Sequence, residues 1–94
     1  MKSAYELAME RLGGSPLKDY SDAEKEQLAE VDRLYDAKEA EAQLNAKRRR
    51  QEAAHDPAQL EQVGQDLAVE LASVEQRRER DKNRLREQFD AAND

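Results

Sequence analysis

Glu52-Ala53-Ala54-His55-Asp56-Pro57-Ala58-Gln59 is the stretch that decides the fold, because it is where an otherwise uninterrupted helical pattern stops and restarts. Asp56 is a good N-cap. Pro57 falls at the first helical position, where its missing N–H costs nothing, and Gln59 completes a D-x-x-Q variant of the capping box. Upstream, Ser21-Asp22-Ala23-Glu24 is an S-x-x-E capping box, and nothing between it and His55 breaks a helix. Two long helices are therefore expected, at about 22–54 and about 57–91, each about 50 Å long at 1.5 Å per residue. So short a break between helices of matched length leaves no slack for any other neighbour arrangement, and it predicts an antiparallel hairpin over one bent rod.

Charge supports the same topology. If the chain turns near residue 55, positions that face one another add up to about 111 by symmetry. Asp22 to Arg33 carries five acids against two bases and would face Arg77 to Arg86, with six bases against two acids. Asp56 to Glu75 carries five acids and no base and would face Lys38 to Arg50, with five bases and two acids. Exposed ion pairs are worth only about 0 to 1 kcal/mol each, so this pattern selects register and orientation more than it adds stability.

The apolar stripes complete the expectation. On the second long helix Leu60, Val63, Leu67, Leu71, Val74, Arg78, Lys82, Leu85 and Phe89 follow an eleven-residue period, which gives a nearly straight helix instead of a heptad supercoil. On the first, Leu28, Val31, Tyr35, Ala42, Ala46 and Ala53 share a face with Lys38 and Arg49. Alanines permit close helix approach. Gly64, which costs about 1 kcal/mol of helix propensity, makes sense at a close crossing.

Upstream of the hairpin, Gly13, Gly14, Ser15 and Pro16 interrupt the chain once more. Before them a short helix is expected at about 3–12, with Ser3 and Glu6 as its capping box and Ala4, Tyr5, Ala8, Met9 and Leu12 at helical spacing. It is too short to stand alone in water, so it must dock. The aromatic and apolar residues Leu17, Tyr20, Leu28, Leu85 and Phe89 at the open end of the hairpin are its expected seat, with a free helix or one swapped onto another chain as the alternative.

The composition bounds the rest. Leu, Ile, Val and Phe make up 15 of 94 residues, too few for a large core, while Ala, Glu, Lys, Leu and Arg supply 54, the composition of long helices. The expected fold class is all-α, one domain over 1–94, and so thin a core asks for further cover. Leu34, Leu44 and Val69 lie off the main stripes and provide a second apolar edge, through which two hairpins would pair as a homodimeric four-helix bundle. With no Cys there is no disulfide or thiolate site. Lys2, Glu6, Glu10 and Arg11 break up any apolar secretion core near the start, no segment approaches membrane length, and a cytoplasmic location is expected. A net charge of -6 argues against a general DNA coater.

Chemical sites are few. Lys47-Arg48-Arg49-Arg50 is the sharpest charge run and the candidate nucleic-acid element, but consecutive helical residues spread it over about 300° as a collar. Glu61, Asp66 and Glu70 on the neighbouring helix are placed to neutralise part of it. Arg77, Arg78, Arg80, Lys82, Arg84 and Arg86 are read the same way, against the acidic start of the first long helix, with no aromatic residues interleaved to stack on bases. Glu52 and His55 match the Glu-x-x-His spacing of di-iron bundles, yet the pair sits at the turn, beyond the bundle core, and the plainer role of His55 is at a helix C-terminus. Acid pairs such as Asp32 with Asp36 or Glu39 with Glu41 fall on open faces without an apolar pocket to separate their pKa values. No catalytic, metal or cofactor site is expected.

Met1-Lys2-Ser3-Ala4-Tyr5-Glu6-Leu7-Ala8-Met9-Glu10-Arg11-Leu12, followed after a linker by Ser21-Asp22-Ala23-Glu24-Lys25, resembles the opening of small uncharacterised bacterial helical proteins. The resemblance covers about a quarter of the chain; it implies a bacterial origin and brings no activity with it. The reading that follows is a non-enzymatic interaction or scaffold module, homodimeric, whose groove accepts a protein partner through Tyr5, Met9, Leu12, Leu34, Leu44 and Val69. The alternatives are a nucleic-acid-associated protein using Lys47, Arg48, Arg49 and Arg50, and a helical chaperone or stress-response protein.

Overall fold

The computed structural model describes residues 20–93, which form two helices, α1 over Asp22–Glu52 and α2 over Pro57–Ala92, joined by a tight turn. The helix expected at 3–12, with Tyr5, Met9 and Leu12, lies outside the described residues. At the start of α1 the capping box is complete: the Glu24 N–H donates to Ser21 Oγ at 3.1 Å and the Ser21 N–H donates to Glu24 Oε1 at 2.9 Å. At the start of α2 the Asp56 carboxylate accepts from the Ala58 and Gln59 N–H groups at 3.1 and 3.2 Å. The reciprocal half of the D-x-x-Q box is replaced, because the Asp56 N–H donates instead to the Ala53 carbonyl at 2.9 Å. The Ala53 C-cap of α1, the Asp56 N-cap of α2 and Pro57 thus reverse the chain within four residues.

Cross-chain contacts show that the helices run antiparallel. Asn93 reaches Glu24 at the open end, Arg78 reaches Asp32 midway and Arg49 reaches Asp66 near the turn. Most partners on α2 lie between one and two turns further along than mirror symmetry about residue 55 expects, as where Tyr35 meets Asp81, Arg49 meets Asp66 and Glu39 meets Arg78. Side-chain lean explains the offset. Every helical side chain tilts toward the N-terminus of its own helix. In α1 that direction is the open end and in α2 it is the turn, so most tips meet where the α2 residue sits further from the turn than its α1 partner, while the long Arg78 side chain also reaches Asp32 on the symmetric register.

The interface changes character along its length. Near the turn it is apolar and small, with Ala42, Ala46 and Ala53 of α1 and Val63 and Val74 of α2 all buried. Midway Asp32 and Glu39 of α1 enter the seam with Arg78 and Lys82 of α2. At the open end Tyr20 packs edge-on against buried Phe89, with ring centroids 5.5 Å apart, flanked by half-buried Leu28 and Leu85. All nine positions of the eleven-residue stripe on α2 are buried or half-buried. On α1 two expectations are corrected: Lys38 and Arg49 are exposed, and the seam position beside Lys38 belongs to Glu39, which the Arg78 guanidinium draws inward. Gly64 is corrected as well. Nothing lies within 4 Å of where its Cβ would stand, so the hairpin makes no close crossing there.

Candidate functional site

The most connected cluster is the ionic layer in the seam. Arg78, whose side chain is only 12% exposed, extends from α2 across to α1. Its Nη1 donates to Asp32 at 3.0 Å, and its Nη2 donates to Asp36 at 2.8 Å and to Glu39 at 3.0 Å. Nε lies 3.4 Å from the Glu75 carboxylate without a hydrogen bond. Lys82, one turn on, donates to both oxygens of Asp32 at 3.2 and 3.1 Å. These contacts set the protonation states: Lys82 first and Arg78 second hold the Asp32 carboxyl below its ordinary range, while Asp36, Asp32 and Glu39 keep Arg78 charged more firmly than usual. Beside the layer Tyr35 donates its hydroxyl to Asp81, and that bond pushes the phenol pKa up. The acid pair Asp32 and Asp36 and the nearby Glu39 are therefore committed to the Arg78 guanidinium, with Lys82 also held by Asp32. That arrangement clamps two helices together and offers no free acid beside a free base.

Nearer the turn a smaller clamp joins Arg49 to Asp66 at 3.0 Å, with Gln62 donating to the same carboxylate at 2.7 Å. Gln62 first and Arg49 second lower the Asp66 pKa. Of the three acids expected to neutralise the basic collar, only Asp66 forms an ion pair with it. Lys47, Arg48 and Arg50 are exposed and make no ion pair among the described residues. His55 is exposed in the turn and Glu52 is exposed at the end of α1; among the described residues no group of three His, Cys, Asp or Glu side chains is placed to hold a metal ion.

Leu34, Leu44 and Val69 are 53, 63 and 72% exposed, large apolar side chains left to solvent by a two-helix fold. They do not form one edge. Val69 lines a groove of about 530 Å³ with Lys38, Glu41, Asn45, Ser73 and Arg77, and Leu44 lines another of about 610 Å³ with Ala40, Gln43, Lys47, Arg50 and Leu67. At 100° per residue Glu41 and Gln43 stand on opposite sides of the seam residue Ala42, so the two grooves occupy opposite flanks. By the same count Leu34 belongs to the Val69 flank.

The basic segment at 77–86 also divides. Arg78 and Lys82 turn into the seam, and Arg86 approaches Glu79 at 3.9 Å. Arg77, Arg80 and Arg84 are exposed and form no ion pair among the described residues. Sequence reasoning treated the six as one run. The 77, 80, 84 spacing, at three and four residues, was the signal that three of them share a face.

No protein-family model, curated protein or solved structure matches the chain. Among the described residues no helix is long and apolar enough to cross a membrane.

Proposed function

We propose that this hairpin is a non-enzymatic protein-interaction module that works as a homodimer. The observation that carries the reading is the mismatch between what the hairpin covers and what it leaves open. Its buried apolar set among the described residues is seven side chains, three of them alanines, while Leu34, Leu44 and Val69 remain exposed on its two flanks. Two helices bury one stripe each, and so small a core supplies only a few kcal/mol. Covering a flank by association adds what the fold lacks.

The groove of Leu44, Ala40 and Leu67 is the seat for the second copy, since it combines aliphatic side chains with the small residue that lets a neighbouring helix approach. Light scattering on the full chain, repeated with Leu44→Glu, tests the reading. The expected result is a dimer that Leu44→Glu converts to monomer. A wild-type chain that stays monomeric at every concentration measured overturns the homodimer.

A further inference from the structure

We propose that Arg77, Arg80 and Arg84 are the docking stripe for an acidic amphipathic helix of a partner protein, laid along the Leu34 flank; this rests on the interaction-module reading and names its partner chemistry. At 100° per residue the three arginines fall within about 60° of one another, and they span about 10.5 Å of helix axis. Carboxylates at i, i+4 and i+7 of an antiparallel helix match that spacing. The stripe differs from every other cluster of bases in the hairpin half that holds it. Arg33, Arg78, Lys82 and Arg86 have carboxylate partners within the chain, whereas Arg77, Arg80 and Arg84 form no ion pair among the described residues. The acids interspersed with them are turned elsewhere: Glu79 approaches Arg86, and Asp81 accepts from Tyr35.

Location adds an apolar anchor. Asp81, next to Arg80 and between Arg77 and Arg84 along α2, accepts from Tyr35, which places the stripe level with Leu34, exposed on the same flank. A protein helix fits better than nucleic acid. Three cations displace few counterions, and the exposed side chain beside them is a leucine with no aromatic ring available for stacking.

The test is fluorescence anisotropy with a labelled synthetic amphipathic helix bearing Glu at i, i+4 and i+7 beside a Leu row, with a composition-matched scrambled peptide and a DNA duplex as comparators. Arg77→Gln, Arg80→Gln and Arg84→Gln combined should weaken the peptide by about tenfold, the sum expected of three exposed charge pairs. Lys47→Gln, Arg48→Gln and Arg50→Gln combined remove the same charge from the collar and should change binding less than about twofold. All six positions are exposed, and a circular dichroism melt confirms that each variant remains folded. Absence of saturable peptide binding, equal weakening by both triple variants, or tighter binding of the duplex than of the peptide overturns the proposal. Peptide binding lost on Leu34→Glu and untouched by the 77, 80, 84 variant also overturns it while leaving the interaction-module reading intact.

Discussion

The half of the hairpin next to the turn and the half at the open end solve the same packing problem by different means. Next to the turn, Ala42, Ala46 and Ala53 face Val63 and Val74, a seam of short side chains that needs no polar partner. Toward the open end, Arg78 and Lys82 bridge to Asp32, Asp36 and Glu39, and the seam closes on Tyr35, Tyr20 and Phe89. The first kind of contact is non-directional and tolerates sliding by a turn, because one alanine resembles another. The second has one satisfactory register, since displacing Arg78 leaves three carboxylates close together without their cation. Small apolar layers thus supply burial, and the ionic layer supplies alignment.

That division makes the open end the place where one side chain carries most apolar area. Phe89→Ala removes the one wholly apolar ring of the described core, 6% exposed, and its edge-on contact with Tyr20. It should cost about 3 kcal/mol in a thermal or urea melt. A smaller effect than that of a single valine truncation at Val63 would show that the aromatic cap is ornamental and that the turn half alone holds the hairpin. The reciprocal change adds bulk where the seam is narrowest. Ala46→Leu, at a position 5% exposed, should cost about 2 kcal/mol by overpacking. A neutral outcome would mean that the alanine layers leave room they do not need.

Acid should separate the halves differently. Asp32 has its carboxyl pKa lowered from 3.8 by Lys82 and Arg78, so its contribution is fully present above that ordinary value and is lost as pH falls through the lower folded-state value. Wild type should therefore melt above Asp32→Asn at pH 7, and the two curves should converge as the pH drops below about 3.8, near the ordinary carboxylate range. A gap that persists unchanged at low pH would assign the difference to packing instead of charge.

How much of this was legible in the sequence depended on whether the signal was local or lay across the hairpin. The reversal at Asp56-Pro57, the Ser21 box and the α2 stripe from Leu60 to Phe89 rest on chemistry within a few residues or on one period, and each is found. Of the expected pairing of acidic with basic quarters, the structure realises Asp32 with Arg78 and Lys82 and Asp66 with Arg49. The detail was not legible: Arg49 meets Asp66 and Tyr35 meets Asp81 because side chains lean toward opposite ends of the hairpin, which a symmetry argument on residue numbers omits. Glu39 displaced Lys38 from the seam for a related reason, since a buried arginine recruits a carboxylate from the far helix and one-helix periodicity cannot register that demand. The same blindness favoured Lys47 to Arg50, contiguous in sequence, over Arg77, Arg80 and Arg84, contiguous on a surface. Leu34, Leu44 and Val69 were correctly read as off the stripe, and a single edge failed to form because Leu44 and Val69 project from opposite flanks.

The smallest expected effect carries the most information about the flanks. Gly64 sits three residues before Leu67, on an adjoining turn, and nothing within the hairpin approaches the position of a Cβ there. On helix propensity alone, Gly64→Ala should stabilise the fold by about 1 kcal/mol, read as a higher melting temperature. Because Leu67 lines the groove assigned to the second copy, the sign of the change reports on that groove as well as on the helix. A gain that is independent of protein concentration leaves the glycine outside any contact. A loss that grows with concentration means that another backbone lies over residue 64, and it would locate the dimer interface on the Leu44 flank at the one position where only a glycine permits so close an approach.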